Sequence, residues 1–516
     1  MDPASSSTVD ATGGRRTVLV AVVLALVACL GYHLAAGDLY LNLRDEGYLW
    51  YGVEAVRAGE VPLLDFQAYD PGRYYWCELF APLFGSGIVG IRGAVSLFHA
   101  VGMVFGLLVL RRLLPSDRWL VPAALLLLLW GFPRFKLFES AITLAGTWAL
   151  CRVVERPRAR RWLVAGLITG TAAFFGRNHG VYLALSSLVV AGLLAWRGRL
   201  AAPRHELGAL AGGVLLGYAP MLLLLCLVPG FAAAFWTAVL SILDRGANLP
   251  LPFPWDWRPA LAEHGVAGGV VLQLGFLLPV VALPLGLSAL LRTPAERLEE
   301  RAALVAATIV GAVYVHHYSV RADLPHLAQA VAPVLVLLVA LAPTRRATAL
   351  VLLGLLAHAG VLAARHHPEL RHFDPTVPTP ALATYEHDGA TLRLKEALAR
   401  HLSRVRTTLE QVVPAEDELF IAPTRPSLYP LLSKRSPTWW IYFLWPATAE
   451  EQRETLRRLD ERGVRWALIV EKSFTDDETY DFRNTNPLVW EQLETSWTRI
   501  GEGVLPPDYY LFRRGD

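Results

Sequence analysis

Over the first 364 residues the apolar positions follow neither strict alternation nor a one-sided helical stripe; they run on, broken by short clusters of charge and proline. About 20 mostly apolar residues carry a helix across the hydrocarbon core of a bilayer. Eleven runs approach that pattern, at 17–36, 93–110, 119–131, 138–151, 162–175, 179–195, 207–228, 265–291, 302–318, 325–342 and 347–364. Those at 119–131, 138–151 and 162–175 are short, so the count is good to one or two helices. Residues 232–243 follow Pro229-Gly230, are too short to span, and are assigned to the surface. Gly102/Gly106, Gly166/Gly170 and Gly213/Gly217 are small-xxx-small pairs that let helix backbones approach closely in lipid.

Beyond residue 380 the pattern changes. Stretches 394–410 and 447–462 are charged and helical in character, while 418–422, 464–470 and 508–513 read as short strands; Arg465 through Val470 has the continuous apolar run of a buried strand. The fold class expected is therefore an α-helical polytopic membrane protein of about 11 transmembrane helices with a small C-terminal α/β domain. Its parts are a tail at 1–16, a transmembrane module at 17–364 with a long first outer loop at 37–92, a linker at 365–380 marked by Pro375, Pro378 and Pro380, and the α/β domain at 381–516.

Composition agrees with the bilayer reading and removes other classes. Of 516 residues 54% are apolar and 18% charged, and mean hydropathy is +0.38. A formal net charge of +3 gives no basic excess for nucleic acid. Cys29, Cys77, Cys151 and Cys226 are too far apart for CxxC metal or redox motifs. Four of the 48 basic residues are lysine, an arginine bias attributed to a GC-rich, bacterial genome. The tail and the loops 111–118, 152–161, 196–206, 292–301 and 343–346 hold 18 arginines in 59 residues, against ten basic residues in 107 positions of the opposite loops. The positive-inside rule then puts the N-terminus in the cytoplasm and, with an odd number of spans, the C-terminal domain outside the plasma (inner) membrane. The first span, though it ends in Leu34-Ala35-Ala36, is long enough for an uncleaved anchor.

On the outer side charge is mixed and comes from segments distant in sequence: Asp45, Glu46, Asp65, Asp70, Arg73 and Glu78; Arg134, Lys136 and Glu139; Arg177 and His179; His316, His317, Arg321, Asp323 and His326. Ionisable groups near a bilayer are costly, so acids, bases and histidines delivered to one face suit a binding or catalytic cavity there. The Asp45-Glu46 pair just after a span suits a general base for an incoming hydroxyl, or a divalent-metal ligand; plain solvation of two adjacent acids is the alternative. Arg321 has the planar fork that suits phosphate, with His326 to share the anion, or else it pairs with Asp323 across a turn. His316 and His317 diverge on a helix and have no matching third ligand, so satisfied histidines at a helix end are favoured over metal. Trp439, Trp440, Tyr442, Phe443 and Trp445 suit core packing better than sugar stacking. The proline-stiffened stretch 249–259, with Trp255 and Trp257, is read as an interfacial loop. No Walker loop, GxSxG or HExxH occurs.

The order Asp45-Glu46-Gly47, Gly59, Pro62, Asp65-Phe66, Pro71-Gly72, Tyr74-Tyr75 and Arg92 resembles the GT-C superfamily of integral membrane glycosyltransferases, in its glycosyltransferase family 39-like or dolichyl-phosphate-mannose-protein mannosyltransferase-like group. Leu419 through Pro423 and on to Leu428-Tyr429 resembles the opening of the outer domain in bacterial members. The resemblance implies an inverting transfer of sugar from a polyprenyl-phosphate donor to a glycan, lipid or protein acceptor at the outer face. It implies that Asp45 is the base, with Glu46 its neighbour, and that Arg321 and His326 hold the donor phosphate. Many protein mannosyltransferases have further loops and a different outer domain, a departure that weighs against protein among these acceptors.

The chemistry needs a base on the acceptor and stabilisation of the departing phosphate. Arg73 and Arg177 are further candidates for the phosphate, and Asp65, Tyr74 and Asp323 for shaping the substrate loop. The leaving phosphate is already ionised, so no strong acid is required; a divalent metal is compatible, though no dedicated cage is visible. The competing readings are a transporter or flippase of a lipid-linked glycan, whose ionisable residues belong at the midplane of repeated halves, a polymerase of such a glycan, and a membrane scaffold.

Overall fold

The computed structural model describes residues 4–245, 249–371, 380–470, 477–500 and 505–515. All eleven apolar runs are helical. Seven helices are long and apolar enough to cross a membrane: Arg15–Ala36, Gly87–Leu113, Arg134–Glu155, Arg177–Trp196, Arg258–Leu291, Ala302–Ser319 and Arg345–His366. Two further candidate spans are bent pairs, Pro203–Gly217 with Ala219–Leu227 at 58° and Leu324–Ala330 with Ala332–Leu341 at 59°. Proline lacks the N–H that would continue the ladder, and Pro220 and Pro333 stand just beyond the two breaks. Among the described residues the count is thus seven, or nine with the bent pairs, against the eleven expected. The two that fall short are Leu120–Leu129, ten residues and about 15 Å of rise, and Ala159–Phe175, seventeen residues. The chain is a multi-pass helical membrane protein with a small C-terminal sheet domain.

The chain forms two compact units. One comprises residues Met1–Gly37, Arg92–Leu227 and Ala247–Thr379. In it, helices Ala159–Phe175 and Pro203–Gly217 meet backbone to backbone. A Cβ on Gly166 or Gly170 would lie 2.1 Å from the carbonyl oxygens of Leu210 and Val214, and one on Gly213 or Gly217 would lie 2.2 Å from those of Leu163 and Leu167. Lipid tails are as apolar as leucine, so such close contact replaces the hydrophobic drive between helices.

The other unit comprises Asp38–Ile91, Val228–Gly246 and Pro380–Asp516, joining the first long loop to the C-terminal residues. A hairpin of β1 (Leu382–His387) and β2 (Ala390–Lys395) turns through Asp388 and Gly389, both at positive φ. The second sheet has the order β3-β4-β6-β5, with β3 (Leu419–Ala422) parallel to β4 (Trp466–Val470), and β5 (Trp497–Ile500) and β6 (Tyr509–Arg514) antiparallel. Helix Ala449–Glu461 makes the crossover from β3 to β4, its start fixed by a Thr448/Glu451 capping box. Its core joins Phe420, Phe443, Ile469, Phe482 and Phe512. The three strands and both helices expected here are present within two or three residues, whereas the β1–β2 hairpin, despite the alternation of its buried and exposed positions, and the four-residue β5 were not expected from the sequence. The linker prolines Pro375 and Pro378 lie outside the described residues. The surface segment at 232–243 lies within a helix, Phe231–Arg245.

The glycine contact makes a prediction. Gly170→Leu, with backbone on its far side, should destabilise the first unit by about 1–3 kcal/mol or more. The thermal midpoint of the detergent-purified protein should fall by several degrees, while Gly192→Leu, at a position open around its Cβ, should leave it unchanged.

Candidate functional site

In the second unit, Asp45 opens helix Asp45–Arg57. The turn before it is closed by Asn42, whose Oδ1 accepts from the Arg44 and Asp45 amides at 2.9 and 3.2 Å. The two neighbouring acids then part. Glu46 is 1% exposed and turned back, its Oε2 accepting the Asn42 amide at 3.2 Å. Asp45 stays half-exposed, and the Tyr442 hydroxyl donates to its Oδ1 at 3.4 Å. Burial first, and the Asp45 charge second, raise the Tyr442 hydroxyl well above the ordinary tyrosine range, so it remains a donor. Burial first, and the like charge of Arg425 second, lower the Arg44 pKa, while the neighbouring Asp45 charge opposes them.

The C-terminal residues hold this helix in place. Ser427 Oγ donates to the Leu43 carbonyl at 2.7 Å, and a Cβ on Gly47 would come within 2.6 Å of Ser427, so only glycine fits. Gln67 Oε1 accepts from the amides of Ile441 and Tyr442 at 3.3 and 3.0 Å, and Trp439 Nε1 donates to the Leu63 carbonyl at 3.0 Å. The aromatic run at 439–445, read as core, is divided: Phe443 packs in the core, while Trp439 and Tyr442 face the first loop. Tyr442, Tyr48 and Tyr69 pack edge to face at 5.8 and 4.7 Å, and the buried Arg73 lies 4.6 Å over the Tyr69 ring. Tyr74 is fully buried, its hydroxyl accepting the Tyr69 amide at 2.9 Å. Asp65 is exposed and closes a turn by accepting the Val61 amide at 2.6 Å.

In the first unit, Arg321, Asp323 and His326 form one network at the start of a bent span. Arg321 Nε donates to Asp323 Oδ2 at 2.7 Å and Nη1 donates to the Leu249 carbonyl at 2.9 Å. Asp323 caps the helix Leu324–Ala330: its Oδ1 accepts from the His326 amide at 2.9 Å and meets His326 Nδ1 at 2.6 Å. Burial raises the Asp323 pKa, but hydrogen bonds and charge from His326, with Arg321, outweigh it and hold the carboxyl at about 2. The alternative first read for Arg321, pairing with Asp323, is therefore realised, and it orients the guanidinium rather than hiding it: the Arg321 side chain keeps 20% of its exposure. The 249–259 stretch is attached here, with the Leu251 amide donating to the Val320 carbonyl at 3.3 Å and its carbonyl accepting from Ala322 at 3.1 Å.

Behind His326 stands a group of rings built from histidines that the sequence pattern assigns to the same face. His317 lies 5.5 Å from His326 and 5.2 Å from His179, centroid to centroid. His317 Nε2 meets Gln329 Oε1 at 3.1 Å, His179 Nδ1 meets the Tyr314 hydroxyl at 3.2 Å, and the Tyr182 hydroxyl meets His316 Nδ1 at 2.9 Å. The expectation of satisfied histidines holds. Arg177 begins the helix that carries His179. The sequence pattern sends these histidines to one face; their stacking, from three separate helices, is what it does not give. Among the described residues no three His, Cys, Asp or Glu side chains are grouped to hold a metal ion.

No protein-family model and no curated protein matches the chain. Solved structures do. ArnT from Cupriavidus metallidurans bound to undecaprenyl phosphate is similar with a TM-score of 0.55 and 14% identity, over 97% of this chain and 98% of that one. The same protein in the apo state gives 0.49 at 14% identity, over 98% of each chain. The Archaeoglobus fulgidus oligosaccharyltransferase gives 0.44 at 12%, over 97% of this chain and 74% of that one. These are GT-C superfamily membrane glycosyltransferases, and the ArnT likeness, running end to end, shows that this chain has the GT-C fold.

Two predictions come from the carboxylates. Glu46→Ala leaves the Asn42 amide without this acceptor and should cost about 1–3 kcal/mol, seen as a lower thermal midpoint, whereas Glu46→Gln, which keeps an oxygen there, should cost little. Asp323, held near 2 against an ordinary 3.8, contributes stability that is complete above pH 4 and is lost as pH falls through 2. The stability deficit of Asp323→Ala should therefore shrink as pH falls from about 4 through 2; a deficit unchanged between pH 4 and pH 2 would contradict this network.

Proposed function

We propose that the protein is an inverting glycosyltransferase that moves a sugar from a polyprenyl-phosphate donor to an acceptor at the outer face of the plasma (inner) membrane. The observation that carries the reading is the division of the Asp45-Glu46 pair. One carboxylate is consumed in the loop, and the other is left accessible, anchored by one long hydrogen bond from Tyr442. That is the condition of a general base, which needs one well-oriented oxygen free for the acceptor proton. The undecaprenyl phosphate bound to ArnT supports a donor of the same class.

In this reading the Asp45 carboxylate takes the proton of the acceptor hydroxyl as that oxygen attacks the anomeric carbon. The bond from that carbon to the phosphate oxygen breaks, and the lipid phosphate leaves as an anion. Arg321, fixed in direction by Asp323 and Leu249, holds the donor phosphate, with His326 beside it. Arg73 and Arg177 are further phosphate candidates; Arg73, buried against Tyr69, supports the Asp45 neighbourhood as well. Asp65 and Tyr74 shape the first loop. The N-terminal tail is assigned to the cytoplasm and residues 381–516 to the outside.

The acceptor is a glycan, a lipid or a protein.

The test is turnover of a panel of radiolabelled polyprenyl-phosphate sugars by the purified protein, with and without chelator. Release of lipid phosphate with sugar on the acceptor is expected. No release from any donor, with lipid-linked glycan bound, would favour the transporter. Arg321→Ala should raise the KM for donor by tenfold or more, consistent with about 1.5–3 kcal/mol for a charged hydrogen bond; an unchanged KM would move the phosphate elsewhere.

A further inference from the structure

At the ends of the spans remote from Arg92, arginines gather around a single carboxylate. Helix Gly87–Leu113 runs 27 residues, about 40 Å, from the end that carries Arg92 to Arg111 and Arg112. There it meets the last turn of the span Arg134–Glu155 and the start of helix Ala159–Phe175. Glu155 is the centre. Its Oε2 accepts from Arg152 Nη1 at 3.0 Å and from Arg161 Nη1 at 3.4 Å, and its Oε1 pairs with Arg112, which also donates to Cys151 Sγ at 3.2 Å. The connection between the two helices is a tight turn: the Arg158 amide donates to the Arg156 carbonyl and the Arg161 amide to the Arg158 carbonyl, both at 2.8 Å. That turn brings two more guanidinium groups to the same place. Arg156 Nε donates to Glu299 Oε1 at 3.2 Å, while the exposed Arg158 side chain has no hydrogen bond or ion pair among the described residues.

Donors here exceed acceptors. A guanidinium carries about five N–H donors and stays charged, whereas a carboxylate offers about four lone-pair sites. Arg112, Arg152, Arg156, Arg158 and Arg161 face Glu155 and Glu299, so three positive charges stand unmatched. The arginines that grip Glu155 are not closed over: their side chains keep 19% of their exposure at Arg161, 30% at Arg112 and 38% at Arg152. The positive-inside rule accounts for arginines at this face but not for their convergence on one carboxylate. Planar forks fixed side by side, with donors to spare, suit an anion of several oxygens, a phosphate.

The adjoining surface distinguishes one source of phosphate from another. On helix Ala159–Phe175, Arg160, Leu163 and Leu167 stand at i, i+3 and i+7 on one stripe, and all three are exposed, the leucines by 40% and 38%. The Arg160 side chain, like that of Arg158, is unpaired among the described residues. The stripe thus carries a free guanidinium at headgroup level and leucines along the hydrocarbon. A phospholipid matches both parts, and a free phosphate matches only the first.

We propose that this cluster is a site for an anionic phospholipid, its phosphate held by Arg158, Arg160 and the arginines around Glu155 and its acyl chains lying along Leu163 and Leu167. The site is independent of the transferase reading, in which none of these residues has a role. Occupancy ties the ends of three helices to one headgroup.

The test is native mass spectrometry of the full-length protein released from nanodiscs of equal parts phosphatidylglycerol and phosphatidylcholine. Wild type should retain phosphatidylglycerol in at least fivefold preference. Arg158→Gln/Arg160→Gln should lose most of that preference at an unchanged thermal midpoint, since both side chains are exposed and unbonded. Arg15→Gln/Arg16→Gln is the control: it removes the same charge from the exposed start of the first span, whose other end receives Arg134 and Arg92 at the Ala36 and Gly37 carbonyls, so it lies at the same face as the cluster. The control should keep the preference. Equal retention of the two lipids by wild type would overturn the site, and so would equal loss in both double variants, which would leave only a diffuse positive surface. A large molar excess of inorganic phosphate separates the two sources. Persistence of the lipid adduct is expected, and its displacement would assign the arginines to free phosphate and overturn the lipid.

Discussion

The position of the first long loop depends on one contact, the close approach of Gly47 to Ser427. Helix Asp45–Arg57 is polar enough at its start and aromatic enough along its length that it has no stable place alone. Its seat is a surface on which the Ser427 hydroxyl bonds the Leu43 carbonyl and the absence of a side chain on Gly47 lets the backbones meet. From there the other ties follow: the Ser436 amide to the Tyr51 hydroxyl at 3.2 Å, Arg435 Nη2 to the Glu54 carbonyl at 2.7 Å, and Gln67 under the amides of Ile441 and Tyr442. Without that seat Tyr442 has no means of reaching Asp45. The C-terminal domain is thus part of the machinery that positions the carboxylate, and the two segments, some 380 residues apart in sequence, form one folding unit.

The same rule, that a carboxylate near apolar surroundings is placed by what satisfies it, separates the acids of the two clusters. Glu46 and Asp323 each accept backbone amides and serve the chain's own geometry, one closing the turn before a helix and the other capping a helix. Asp45 has a single long contact from a side chain. Asp323 carries a second duty, since its other oxygen fixes Arg321, so a structural cap and the orientation of a guanidinium are made by one side chain.

How much was legible in the sequence follows from the range of the interactions. Helix length and apolarity are local properties, so all eleven runs were found, and three C-terminal strands and two helices were placed within a few residues, while the β1–β2 hairpin and β5 were missed. Whether a run spans is not local: the 58° and 59° bends follow from proline, but their effect on the count needs the backbone. Arg321 with Asp323, two residues apart, was visible as a pair. The order Asp45-Glu46-Gly47 through Tyr74-Tyr75 was enough to suggest a GT-C fold, and the likeness to ArnT agrees at the level of the fold. The link from Tyr442 to Asp45 and the stack of His179, His317 and His326 join residues from 9 to 397 positions apart. Such partnerships leave no periodic trace in one sequence.

The central claim is that of the two adjacent acids only Asp45 does chemistry. It is tested most directly by single-turnover release of lipid phosphate from a polyprenyl-phosphate sugar, comparing Asp45→Asn with Glu46→Gln in preparations of equal thermal midpoint. The account predicts a loss of about 100-fold or more for Asp45→Asn, of the order expected for removal of a general base, and retention of most of the rate for Glu46→Gln. Equal losses in both, or a rate retained in Asp45→Asn, would contradict it.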